Sequence, residues 1–518
     1  MAQLQFTLED LQELVKIGKA EAIDTLTMLG FPTEEMEDGR LNVEVTPNRP
    51  DALCVEGVAR VLRCRMSGKP AKYSIGKPKV KVTVDKSVAD VRPVFGGAVV
   101  RGVKMSDSLV RSIMQVQEKL HETLGRKRRK VAIGIHDLGK VTPPFKYFAC
   151  GRSGVSFVPL DMRSKMTPEE ILAKHPKGVG FAHLVGEKCP MITDSKGNIL
   201  SFPPIINGEL TKLTQQSADL FIDTTGTSEE AVRQAVNILV SMLADRGGKI
   251  EEITINGKPY PLLEERKWKL PVAESEKLLG VKLGKAKVAS LLSLLGHRVV
   301  GAGVFVPGYR TDVINTVDLV EDVAIAYGYN NFEPSLPSAS TVGREEPEHG
   351  CHEVLVGLGY DEVMSWTLSN PAIAKKAKLP QTQAIEIENP LTEDFAVFRT
   401  AILPNLLTIL GESKNEKLPI RIYEAGSVSV PKLEQRLSLA SMHPKASFSE
   451  IKGAVLSLAE SLGWKVEIKK EEFGPFIAGR CAAIYIGGKK AGFMGEVAPD
   501  VLVGFNLEQP VCAAEISI

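Results

Sequence analysis

Residues 306–334 read VPGYRTDVINTVDLVEDVAIAYGYNNFEP. The Arg310-Thr311-Asp312 turn leads into a helical pattern. Asn315 or Thr316 is placed to cap it, since either side chain accepts from the orphan N–H groups of a first turn. Val317, Val320, Ala324 and Tyr327 recur at helical spacing and are expected to face a core. Asp318, Glu321 and Asp322 stand at i, i+3 and i+4, so the spacing predicts all three carboxylates on the other face. Neighbouring carboxylates repel unless something positive relieves them. A helix N-terminus offers about 0.3–1 kcal/mol per charge. A hard divalent cation such as Mg2+, which prefers oxygen ligands, offers more. Asp312 is placed to add a fourth oxygen. Spacing alone leaves a solvated acidic turn and an Mg2+ site both open.

The string Arg310-Thr-Asp312, Asp318-Leu-Val-Glu-Asp322 and Ala326-Tyr-Gly-Tyr-Asn330 resembles the signature of the phenylalanyl-tRNA synthetase β subunit. In that family four acids at these places hold a magnesium ion shared with the α subunit. The resemblance thus implies Asp312, Asp318, Glu321 and Asp322 as metal ligands.

The 518 residues are too many for one core, and three to four domains are expected. A hydrophobic content of 43% with 25% charged residues is that of an ordinary soluble globular chain. Lys+Arg 64 against Asp+Glu 63 excludes a global basic field, so any nucleic-acid contact must be a local patch. The seven cysteines form no CxxC pair, which points to reduced thiols in a cytoplasm. The N-terminus lacks a charged-then-apolar signal, and no apolar run approaches the ~18 residues of a membrane helix. Neither a membrane nor DNA is among the expected partners.

In residues 1–75, Thr7 caps a first helix, Asp38-Gly39 marks a hairpin turn, and Leu41 to Val45 alternate as a strand. Thr46-Pro-Asn-Arg-Pro-Asp51 reads as a rigid double-proline turn capped by Asp51, ahead of a helix from Val55. The same hexapeptide resembles the N-terminal module of the β subunits. Lys69 to Lys79 reads as a linker.

Residues 80–262 read as a mixed α+β domain. Val110 to Leu124 is helical in period. Arg126-Lys-Arg-Arg-Lys130 is the densest basic run, either a solvated loop or a salt-dependent phosphate contact. In the strand Val131 to Ile135, Ala132 and Gly134 make a small-residue face with room for a ligand or another backbone. His136-Asp137 reads as a strand-end turn. Asn207-Gly208 is a hairpin dipeptide, and Asp223 followed by Gly226 is another turn. The stretches Ser201 to Glu209 and Leu220 to Gly226 also resemble the editing domain of archaeal- and eukaryotic-type β subunits, which hydrolyses tyrosine wrongly attached to phenylalanine tRNA. An apolar pocket rejects an added hydroxyl by only about a hundredfold, so a second site is physically reasonable. The resemblance implies Ser201, Asn207, Glu209, Asp223 and Thr225 as the groups that position water and recognise the hydroxyl. No nucleophile–base pair is visible, so no covalent intermediate is expected.

Residues 265–338 suit a winged-helix-like module. His349-Gly-Cys-His352 lacks the further ligands of a metal site. Residues 340–518 alternate strands and helices, with strands read at Asp361 to Thr367, Ala384 to Ile387, Pro419 to Tyr423 and Ala482 to Ile486. This part resembles the β subunit's class II synthetase-like antiparallel core. The late glycine-rich segment ending in Glu-Arg is missing, and Arg399 alone cannot bind ATP, so this core is expected to be catalytically silent.

The expected architecture is therefore α+β and multidomain. The resemblance implies the β subunit of an (αβ)2 ligase that charges tRNA(Phe) using ATP, with the aminoacylation site in the α subunit. Two alternatives stand: a non-catalytic tRNA-binding and assembly subunit with an inert editing pocket, and a free-standing trans-editing hydrolase.

Overall fold

The strand expected at Leu41–Val45 is the centre of a three-stranded antiparallel sheet, between Ala2–Phe6 and Thr33–Glu35. Gly39 turns the hairpin at φ +79°. This sheet opens the first of two compact units, Met1–Leu336 and Pro337–Ile518, of a computed structural model that describes residues 2–336, 343, 350–380 and 384–518.

In the double-proline turn, just ahead of the helix Val55–Ser67, the buried Asp51 carboxylate pairs with Arg49 at 2.9 Å. The cap is Cys54, whose sulfur accepts from the Gly57 N–H. A Cβ at Gly57 would lie 1.9 Å from the Asp51 carbonyl oxygen, so only glycine lets the helix start this close to the turn. Arg60, Arg63 and the Tyr73 hydroxyl converge on Asp245, at the end of the helix Glu229–Asp245. Leu4, Val58, Leu120, Leu239, Leu292 and Val323 belong to one apolar core. Residues from all three N-terminal stretches thus contribute to this core.

A ten-stranded mixed sheet dominates this unit. Its order along the main path is Ile206–Asn207, Ile199–Phe202, Lys188–Thr193, Phe145–Gly151, Ile75–Val84, Lys249–Ile255, Val94–Arg101, Leu220–Gly226 and Val131–Asp137. The linker expected over Lys69–Lys79 is overtaken by the strand Ile75–Val84. Two turns are also corrected. Leu220–Gly226 runs unbroken as a strand between two neighbours, and Ile206–Asn207 is itself a strand. The chain reverses earlier, at Pro203-Pro204, where the Ile205 N–H donates to the Phe202 carbonyl. Proline fixes φ and supplies no N–H, which suits it to the reversal. The helix Asp107–Glu122, capped by Ser106, shares the apolar core with the edge strand Val131–Asp137.

The remaining part of this unit matches the winged-helix expectation. The strands Arg266–Lys269, Gly303–Val306 and Arg298–Val300 form a small sheet with the helices Val272–Leu279, Gly284–Leu294 and Thr316–Tyr327. Gly280 ends the first helix at φ +70°.

The second unit is a seven-stranded sheet, antiparallel except where Asp361–Glu362 pairs parallel with Ile420–Ser429. The helix Leu403–Glu412 belongs to one apolar cluster of this sheet, and Phe448–Ser461 to the other. Two expected strands shrink. Only Asp361–Glu362 of the first is extended in the sheet, and of the second only Glu386 makes a bridge, to Val397. His349 and most of residues 335–344, where Pro337 and Gly343 lead the sequence to be read as a linker, lie outside the described residues. Among those described, no helix is long and apolar enough to cross a membrane.

Candidate functional site

The period of a strand puts Ala132, Gly134 and His136 on one face of Val131–Asp137. The neighbouring strand sets Asp223 opposite Gly134. His136 is fully buried; its Nε2 lies 2.6 Å from Asp223 Oδ2 and its Nδ1 2.7 Å from Thr211 Oγ1. A Cβ at Gly134 would sit 2.2 Å from Asp223 Oδ2, so the small-residue face is what admits the carboxylate. Asp137, the sequence neighbour of His136, takes no part in this pair. It accepts instead from Ser217 Oγ and the Gly139 N–H.

The far end of the sheet curls back to this edge. Ser201, on Ile199–Phe202, donates to Asp223 Oδ2 at 3.5 Å. Arg128 locks the closure: its Nη1 donates to the carbonyls of Pro204 and Ile205, and its guanidinium lies 4.6 Å from the Phe181 ring centre. Between the two edges is a cavity of about 290 Å³, at the small end of ligand pockets. Ile113, Ile133, Phe202 and Ile205 give it apolar walls; Ser201, Asn207 and Asp223 give it polar groups.

Three of the five residues expected here thus line one cavity, and two do not. Glu209 does not line the cavity but braces two residues that do: it accepts from the Asp161 N–H at 2.7 Å and lies 3.6 Å from Lys212. Thr225 is buried behind it, bound to Arg92 through both its hydroxyl and its carbonyl. Burial pushes the Arg92 guanidinium down to about 10. His136, Thr211 and Arg128 were not anticipated. The basic run divides: Arg126, Lys127 and Arg129 are exposed, whereas Arg128 turns inward.

The acidic helix departs further from expectation. It is capped by Asn315, with Asp318 closing a capping box. Val317 is exposed and Asp322 is buried, so the three carboxylates do not share a face. Asp322 Oδ2 accepts from Arg310 at 2.7 Å and lies 2.5 Å from His297 Nε2. Both oxygens of Asp312 accept from Arg310, at 2.8 and 2.7 Å. Asp318 Oδ2 accepts from the Ile314 and Asn315 N–H groups, and Glu321 accepts from the Tyr329 hydroxyl. Burial works against ionising Asp312 and Asp322, but Arg310 overrides it and holds both below the usual carboxylate range. Arg49, from the double-proline turn, adds its charge to the same cluster. Among the described residues no group of three or more His, Cys, Asp or Glu side chains converges to hold a metal. The four acids as arranged do not fit Mg2+: arginine neutralises two, and backbone and hydroxyl donors engage the others.

In the second unit, Arg399 is buried and its charge is paired. It donates to Glu424 at 2.6 Å, to Ser365 Oγ and to the Ser427 carbonyl. His352 lies 3.1 Å from the Tyr423 hydroxyl and 3.3 Å from Glu362.

Comparison with known proteins accounts for both units. The model of the phenylalanyl tRNA synthetase beta chain CLM domain matches residues 333–518, and that of the tRNA synthetase B5 domain matches 268–329. The phenylalanine–tRNA ligase beta subunit of Archaeoglobus fulgidus is 41% identical over 98% of this chain and 97% of its own. That of Methanosarcina barkeri is 40% identical with the same coverage. A crystallised N-terminal fragment of the phenylalanyl-tRNA synthetase beta subunit from Pyrococcus horikoshii covers 63% of this chain and 99% of its own, with 33% identity and a TM-score of 0.60. The chain belongs to the phenylalanine–tRNA ligase β-subunit family.

Proposed function

We propose that the cavity beside Asp223 is a hydrolytic site that removes tyrosine from mischarged phenylalanine tRNA. It would act within an (αβ)2 enzyme of the cytoplasm whose ATP-dependent charging site lies in the α subunit. The observation that carries this reading is the placement of Ser201, Asn207 and Asp223 around one mostly apolar cavity. Asp223 Oδ2 is held by His136 and Ser201, which fixes the carboxylate at the wall. That carboxylate accepts a proton from a water as the water oxygen bonds to the ester carbonyl carbon. The ester C–O bond then breaks, and the proton passes to the departing ribose oxygen. No side chain forms a bond to the substrate.

ATP use belongs to the partner subunit in this reading, because Arg399 is already engaged by Glu424. Magnesium is assigned no step, since Asp312 and Asp322 already have Arg310 between them.

Charging tRNA(Phe) with tyrosine at high tyrosine concentration tests the reading. The assembled enzyme should accumulate almost no Tyr-tRNA, and the Asn207→Ala form should accumulate it. Equal accumulation by both would remove the assignment.

A further inference from the structure

One buried histidine nitrogen in the same cavity is left without a partner. The Ile133 N–H, on the outer edge of the sheet, donates to His121 Nε2 at 2.9 Å. A backbone N–H only donates, so Nε2 is the bare nitrogen and the neutral ring carries its hydrogen on Nδ1. His121 is 3% exposed and lines the cavity, and its Nδ1 has no hydrogen-bond partner. The nearest acceptor, Glu118 Oε2, is 4.0 Å away, beyond hydrogen-bonding distance. Glu118 is held elsewhere: its Oε1 accepts from Arg128 at 3.0 Å and lies 3.6 Å from Lys177. His121, Arg128 and Lys177 keep the Glu118 carboxyl down at about 2, so it is an acceptor only.

One unpaired donor and one available acceptor therefore face each other across a gap on the cavity wall. An ammonium cannot accept from Nδ1–H, and a carbonyl cannot donate to a carboxylate. A hydroxyl does both. We propose that His121 and Glu118 read the phenolic hydroxyl of the tyrosyl group, with the aromatic ring between Ile113, Ile133 and Ile205. The inference rests on the hydrolytic reading given above and adds the source of its selectivity. Asp223, whose Oδ2 is engaged by His136 and Ser201, is then the group for the water and not for the phenol. Phenylalanine would fill the same walls and leave the buried Nδ1–H of His121 without a partner. A site built this way discriminates far better than an apolar pocket does.

The test compares hydrolysis of preformed Tyr-tRNA(Phe) and Phe-tRNA(Phe) by the assembled αβ enzyme, as wild type, Glu118→Gln and His121→Phe. Glu118 is partly exposed, so Glu118→Gln carries little folding risk, and phenylalanine charging reports the fold of each variant. Glutamine keeps an acceptor for Arg128 and turns a donor toward the gap. The expected result is a fall of about tenfold or more in the Tyr-to-Phe ratio of kcat/KM in both variants. An unchanged ratio overturns the inference, even if both rates fall, because the pair would then serve a group common to both substrates, such as a ribose hydroxyl. If the wild-type enzyme releases no tyrosine at all, the hydrolytic reading itself is what fails.

Discussion

His136 Nε2 lies 2.6 Å from Asp223 Oδ2, joining a residue of the sheet's edge strand to the strand beside it, with both side chains buried. A buried carboxylate that loses its partner costs about 3–5 kcal/mol. His136→Ala should therefore lower the unfolding midpoint of the first unit, and His136→Gln, whose amide restores one hydrogen bond, should recover part of the loss. Denaturant unfolding followed by circular dichroism measures both. Equal midpoints for all three proteins would show that the pair contributes nothing.

Gly134→Ala is the sharper change at this site. Its new methyl would lie 2.2 Å from Asp223 Oδ2 and 2.8 Å from His136 Nε2. The carboxylate must move from the wall, so hydrolysis of Tyr-tRNA should fall sharply while phenylalanine charging persists. A single-turnover assay of both activities reads the outcome.

Arg310→Met should destabilise the first unit by about 3–5 kcal/mol, because Asp312 and Asp322 would lose their shared counter-charge. If a divalent ion were the real counter-charge, the variant would be restored by millimolar Mg2+. The structure predicts no such rescue in thermal melts.

The buried histidines set an acid limit. Burial lowers the pKa of His121 and of His297 from the ordinary value of 6.5. Each therefore takes up its proton more readily in the unfolded chain. Their contribution is fully present above the unfolded pKa and is lost as pH falls below it. Melting temperature should decline between about pH 7 and pH 5, and His297→Phe should flatten that decline.

Arg399 donates to Glu424, Ser365 and the Ser427 carbonyl through Nε and Nη1, so its charge is already paired. The isolated chain should show no phenylalanine-dependent pyrophosphate exchange. Exchange without the α subunit would overturn the reading of this core as catalytically silent.

How much of this was legible depended on range. Local signals held where a side chain answers to its own neighbours. Thr7, Asn315 and Gly280 mark helix ends as expected, and the small face of Ala132 and Gly134 marks where a ligand-sized space opens. The failures are long-range. His136 looked like half of a turn with Asp137, because the partner that matters, Asp223, is supplied by another strand. Period two already placed His136 on the small-residue face, and that was the available clue. The basic run hid Arg128, whose carbonyl partners lie at Pro204 and Ile205. The acidic helix shows the same limit. Spacing counted the carboxylates but could not see that Arg310 and His297 would fold against Asp322. Asn207-Gly208 and Asp223 to Gly226 carry turn residues, yet pairing with neighbouring strands overrode the local preference.

The most direct test of the central claim is the single-turnover rate of Tyr-tRNA(Phe) hydrolysis by the assembled enzyme, wild type against Asp223→Ala. The account predicts rapid release of tyrosine by the wild type, a loss of about a hundredfold or more in the variant, and phenylalanine charging retained by both. Equal hydrolysis by the two enzymes would contradict it.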